Sequence, residues 1–151
     1  MLEDIFLTEG KAANWEEAIQ ITAHILEKNG CVKESFLNGC IEREKLYPTG
    51  LPTKVPIALP HTEAIHVIKP GACLLRLSEP VKFRNMEDPE DEIEVGFVFN
   101  IAIEKSKDQL KVLGAISRMF QDIEFLERAR RLSINEFREV FLEKWHMWHT
   151  Q

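Results

Sequence analysis

The stretch Val55-Pro56-Ile57-Ala58-Leu59-Pro60-His61, with Thr62 and Glu63 behind it, is where this sequence could do chemistry. An apolar run of strand character ends at a proline, and a titratable imidazole is the first residue past it. Proline fixes its own φ and pushes Leu59 toward an extended conformation, so the approach to His61 is stiff on both sides. Reactive groups on open-sheet folds gather at strand ends of this kind. The plain alternative is a turn histidine whose nitrogens are satisfied locally. One cation precedes it usefully. Arg43 stands in the last turn of an expected helix and is joined to His61 by the turn-rich residues 47–53 and the strand, so the two could face each other. By itself Arg43 also reads as a charge suited to the negative end of the helix dipole.

Nothing else in the chain competes with this stretch. There is no GxSxG elbow, no Walker or GxGxxG loop, no HExxH and no cysteine or Cys/His zinc pattern. The carboxylates of residues 86–91 have nothing to make them converge on Mg²⁺. The terminal His146-Met147-Trp148-His149 has HxxH spacing but no carboxylate or cysteine beside it, a poor metal site. An enzyme built on this chain would use a histidine nucleophile, with no metal and no cofactor.

Periodicity supplies the elements that must hold these groups. Ile5-Phe6-Leu7 suits a short edge strand. Trp15, Ala18, Ile19, Ile25 and Leu26 recur at helical spacing after an Asn14 cap with Glu17 at its third position, and Asn29-Gly30 stops that helix. Phe36, Leu37, Cys40 and Ile41 give a second helix over 33–46. A strand over 72–77 is terminated by Glu79-Pro80, with 81–83 as a short extension and 86–91 as a solvated acidic loop. Residues 93–103 form the longest strand, nearly continuous in apolar character and therefore covered on both faces. Helices follow over 107–120, around Phe125-Leu126, and over 134–145, the last capped by Ser133 and Glu136. The order β-α-α-β-β-β-α-α-α implies an α/β fold: a three-layer α/β/α sandwich with a small mixed sheet. Residues 1–151 read as one domain, with 146–151 as a loose tail.

Composition narrows the function. The chain of 151 residues is 44% hydrophobic and 29% charged, as expected of a soluble globular protein. A net charge of −6 without any basic stripe argues against nucleic acid as a partner. No apolar run approaches the ~18 residues of a membrane span, and Met1-Leu2-Glu3-Asp4 lacks the basic start of a signal peptide. Cys31, Cys40 and Cys73 form no CxxC pair and read as free thiols in a cytosolic, reduced protein.

Arg43-Glu44-Lys45-Leu46-Tyr47-Pro48-Thr49-Gly50-Leu51 followed by Ile57-Ala58-Leu59-Pro60-His61 resembles the signature of the fructose/mannitol-type enzyme IIA of the bacterial phosphoenolpyruvate-dependent sugar phosphotransferase system. The likeness runs from about Ile5 to Phe125. Residues 60–67, together with Pro80-Val81-Lys82-Phe83, resemble the galactitol-type branch most closely. The resemblance implies that His61 is the phosphorylated residue and that Arg43 lies near the phosphoryl group. It also implies phosphorylated HPr as donor, a cysteine of the cognate enzyme IIB as acceptor, and a membrane enzyme IIC that moves the sugar. Mannitol-type members carry a second active-site histidine where this sequence has Gln109. The Gln109 amide, or His66, would have to take over part of that role, while the Thr62 hydroxyl and backbone N–H groups around His61, Thr62 and Glu63 are further candidate donors. Two other readings keep the fold: a phosphorylatable regulatory module acting on a protein target, and a non-catalytic interaction domain that would need neither His61 nor Arg43. An enzyme IIB role would need a reactive cysteine at a strand–loop junction, and Cys73 lies inside an apolar run.

Overall fold

Two long strands carry the fold. The computed structural model describes Leu2 and residues 4–149, with side chains described as far as Met147. Strands β4 (Gly71–Asn85) and β5 (Asp88–Ala102) form an antiparallel hairpin, and β1 (Asp4–Gly10) runs parallel to the first half of β4. On the far side of β5 lies β3 (Ile57–Ala58), parallel to it, followed by antiparallel β2 (Gly50–Leu51). Gly50 in turn reaches Asn85 near the hairpin tip, so this 5-stranded mixed sheet curls round at that end. Helices α1 (Trp15–Lys28) and α2 (Phe36–Leu46) precede β2, and α3 (Ser106–Met119), α4 (Ile123–Arg131) and α5 (Ile134–His149) follow β5.

Period-two alternation divides the buried side chains between the two faces. Leu74, Phe97, Phe99 and Ile101 pack with Ile116, Phe125, Phe137 and Phe141 of the three later helices. Cys73, Leu75 and Val98 pack with Ile19, Leu26, Phe36 and Cys40 of α1 and α2. Helices therefore cover the sheet on both sides, and the β5 run is buried over its second half as its composition implies. The expected caps form: the Asn14 side chain accepts Glu17 N–H at 2.9 Å, and Ser133 Oγ accepts Glu136 N–H at 3.2 Å.

Four expectations are corrected. Pro80 does not end β4, because it falls in a bulge between Arg76 and Val81 where no ladder partner needs its missing N–H. The acidic residues 86–91 are not a loop: Met86 and Glu87 make the turn, and β5 begins at Asp88. Opposite charges across the ladder, Lys82 with Glu94 and Arg84 with Glu92, suit that exposed half of the hairpin. Residues 50–51, expected as loop, form the extra strand β2, while the strand before His61 shrinks to β3. Pro56 and Pro60 can offer only carbonyls, which accept Gly96 N–H at 3.1 Å and Ile101 N–H at 3.0 Å. The tail at 146 is also helical through His149, because Phe137, Phe141 and Trp145 recur every fourth residue and seat α5 on the core. Thr150 and Gln151 lie outside the described residues.

Candidate functional site

Four elements meet at His61: the end of α2, the loop into β3, the tip of the β4–β5 hairpin and the start of α3. The α2 carbonyls left over at its C-terminus are taken by Arg84 of β4, which donates to Glu44 O at 3.2 Å and to Lys45 O. The Glu44 carboxylate accepts Thr49 N–H at 2.7 Å and the Thr49 hydroxyl at 2.8 Å, fastening the loop to the helix. Leu59 N–H reaches Thr49 Oγ1 at 3.2 Å and Thr49 O at 3.3 Å. Pro60 O is held by β5, as above, and the Leu59 carbonyl lies 2.8 Å from His61 Nδ1. A carbonyl can only accept, so Nδ1 carries the hydrogen of the neutral ring and Nε2 keeps its lone pair.

The half-buried ring borders a cleft of about 510 Å³, shared with Arg43 and Tyr47 from the end of α2, Met86 and Pro89 from the hairpin, and Ser106 and Gln109 from the start of α3. Arg43 sits over the Tyr47 ring at 5.3 Å and, among the described residues, makes no ion pair. Its guanidinium charge is left to act on the cleft. His61 is held below the ordinary histidine value of 6.5 chiefly by burial, with Arg43 adding to the effect and the Leu59 hydrogen bond opposing it. At neutral pH the ring is therefore neutral and nucleophilic at Nε2. A neutral imidazole facing an unpaired guanidinium suits attack on an anionic phosphorus centre, with Arg43 to gather the equatorial oxygens.

Of the residues singled out by sequence, His61, Arg43 and Gln109 come together. Thr62, Glu63 and His66 do not line this cleft. Thr62 is buried with its hydroxyl 2.8 Å from where a Cβ on Gly39 of α2 would stand, so that glycine admits it. Glu63 is exposed and precedes the single 3-10 turn Ala64–His66. His66 turns toward the other end of α2, where its Nδ1 meets Ser35 Oγ at 2.7 Å. Among the described residues, no acceptor meets the backbone N–H groups of His61, Thr62 and Glu63. Sequence reasoning passed over Glu44 and Thr49, although both stand in the Arg43–Leu51 block; a buried acid cannot be told from a surface one without the loop that covers it. Met86 and Pro89 were hidden by the loop assignment, and Ser106 had no signal. No cluster of three His, Cys, Asp or Glu side chains that could hold a metal ion occurs among the described residues.

Comparison with known proteins bears on this geometry. Residues 2–144 match the model of the family described as phosphoenolpyruvate-dependent sugar phosphotransferase system, EIIA 2. The galactitol-specific EIIA component of Escherichia coli K12 is 27% identical over 144 residues, which cover 93% of this chain and 94% of that protein. The mannitol-specific EIICBA component of the same strain is 32% identical over 142 residues, 91% of this chain but only 21% of that much longer protein. Among solved structures, the complex of enzyme IIAMtl and phosphorylated enzyme IIBMtl from Escherichia coli contains a chain with a TM-score of 0.75 and 30% identity, covering 93% of this chain and 95% of that one.

Proposed function

The chain belongs to the EIIA 2 family of the phosphoenolpyruvate-dependent sugar phosphotransferase system and is a phosphocarrier of that system, and from this premise we propose that Nε2 of His61 carries the phosphoryl group. The donor is phosphorylated HPr and the acceptor a cysteine of the cognate enzyme IIB, with a membrane enzyme IIC beyond it. The Nε2 lone pair attacks phosphorus in line, the bond from phosphorus to the donor breaks as P–Nε2 forms, and the donor leaves with the electron pair. Nδ1–H stays on the Leu59 carbonyl throughout and stabilises the phosphorylated ring. Arg43 offers two N–H groups to the phosphoryl oxygens, and Gln109 supplies an amide donor where mannitol-type members have an imidazole.

The observation that carries this reading is the His61 ring itself. Its Nδ1 is tied to an acceptor-only group 2.8 Å away, while Nε2 is left for the cleft that Arg43 shares. The rim supports a protein partner over a small molecule. Leu46 is 73% exposed, Leu110 70% and Tyr47 64%, apolar surface that a docking HPr or enzyme IIB would cover. A phosphorylated enzyme IIB is bound by the mannitol relative of known structure, which favours the same class of acceptor here. The likeness to a galactitol-specific component over nearly the whole chain favours a sugar alcohol as the transported molecule. No helix among the described residues is long and apolar enough to cross a membrane, and the chain in this reading works at the cytoplasmic face of its transporter.

The test is intact-mass measurement after incubation with phosphoenolpyruvate, enzyme I and HPr, followed by brief acid treatment. A single acid-labile phosphate, chased off by the cognate enzyme IIB, is the expected result. The absence of any mass gain would remove the phosphocarrier reading.

A further inference from the structure

Glu44 has no part in the transfer just described, yet it is the one buried carboxylate among the described residues, and both its oxygens are engaged. Because the Thr49 hydroxyl donates to Glu44 Oε1, its lone pairs are turned toward Leu59 N–H. Leu59 precedes a proline and has little freedom of its own, so fixing its N–H fixes the direction of its carbonyl. That carbonyl holds the hydrogen of His61 Nδ1. Carboxylate, hydroxyl, one backbone residue and imidazole thus form an unbroken path from the end of α2 to the reactive ring.

We propose that Glu44 is a positioning residue for His61: acting through Thr49 and Leu59, it keeps the ring in the tautomer and orientation that leave Nε2 free. The proposal rests on the phosphocarrier reading for its rate effects but not for its effect on the ring. Alternatives for these atoms are few. The helix end is already capped by Arg84, so Glu44 is not needed there, and a loop could be fastened without burying a charge. The groups that face the carboxyl are Arg43 and Cys40 on its own helix, Arg84 from β4 and Thr49 from the loop, while α1 offers only the non-titrating Trp15. Burial pushes Glu44 up to about 7, against the pull of the two Thr49 bonds and the two arginines.

The test uses the full chain with Thr49→Val, Thr49→Ser and Glu44→Gln, reading the His61 ring nitrogens by 15N NMR, phosphate uptake from phosphorylated HPr, and thermal stability. In the wild type a single tautomer with hydrogen on Nδ1 is expected. Thr49→Val should give mixed tautomers and slow uptake by about tenfold, the order expected when a reacting group loses its fixed geometry. Thr49→Ser should restore both, and Glu44→Gln, which keeps one acceptor, should fall between. Folded Thr49→Val and Glu44→Gln variants that keep the single tautomer would overturn the proposal. If Thr49→Val fails to fold, Glu44→Gln decides by the same readouts; failure of both to fold would make these residues structural supports and overturn it too. A wild type with the single tautomer but no phosphate uptake would instead sink the phosphocarrier reading and leave the positioning role standing.

Discussion

His61 and His66 are near neighbours in sequence, and each engages a partner through Nδ1 at almost the same distance, 2.8 Å to Leu59 O and 2.7 Å to Ser35 Oγ. Their surroundings differ in two respects. A carbonyl accepts only, so it dictates which nitrogen of His61 carries hydrogen, whereas the Ser35 hydroxyl can give or take and leaves His66 free to be either tautomer. The His61 cleft also contains Arg43 and no carboxylate. The open cleft of His66 contains Lys33 but also Glu34 and Glu42, so a phosphoryl group there would meet like charge. Reactivity at a histidine thus comes from its partner and its local field more than from the imidazole.

The largest effect expected from this contrast is the loss of all phosphate uptake in His61→Ala, with the fold retained because the ring is half-buried at a strand end and carries no core. Intact mass after incubation with phosphorylated HPr reads it. Uptake at the normal rate would mean that another residue, with His66 the first suspect, is the acceptor. Next in size is Arg43→Lys. The charge survives but the planar two-pronged donor does not, and transfer should slow tens-fold, on the order of 2 kcal/mol in the transition state. Quenched-flow uptake measures it, and an unchanged rate would return Arg43 to the role of a helix-end charge stacked on Tyr47.

Much of the His61 half of this comparison is legible in the sequence. The proline-stiffened approach, the preceding arginine and the Arg43–Leu51 block pointed to the ring, and the apolar runs over 72–77 and 93–103 marked the buried halves of β4 and β5. What escaped was set by tertiary context. Pro80 reads as a strand terminator unless one knows that the ladder skips it, and the acidic residues after Met86 read as loop because their charge pairing lies on the other strand of the hairpin. Glu44 looks like any surface glutamate until residues 47–51 fold over it. His66 was an open question in sequence because it closes the 3-10 turn Ala64–His66, and that turn carries it to the opposite end of α2.

A smaller effect concerns pH. Burial holds His61 below 6.5, so its protonated form is penalised in the folded protein. A lowered histidine stabilises the fold relative to the unfolded chain above 6.5, and that contribution is lost as pH falls through the folded value. Transfer should follow the same titration, with an acid limb whose midpoint lies below 6.5. In Arg43→Gln the midpoint should move upward, yet stay below 6.5, since burial and not the guanidinium is the main cause. An NMR titration of the His61 ring reads both, and a wild-type midpoint at or above 6.5 would contradict the desolvated ring.

The smallest expected effect is the sharpest test of the contrast. His66→Ala removes an imidazole as large and as close in sequence, hydrogen-bonded equally well, and should alter phosphate uptake by no more than about twofold, within the range of substitutions away from the reacting atoms. Ser35 would lose its partner and the 3-10 turn some of its anchorage, which thermal unfolding would register as a modest loss. Should uptake instead fall in step with Arg43→Lys, His66 would be reaching the phosphoryl group in the complex with HPr. The difference between the two histidines would then arise on docking and not from the hydrogen-bond partner that each holds in the free protein.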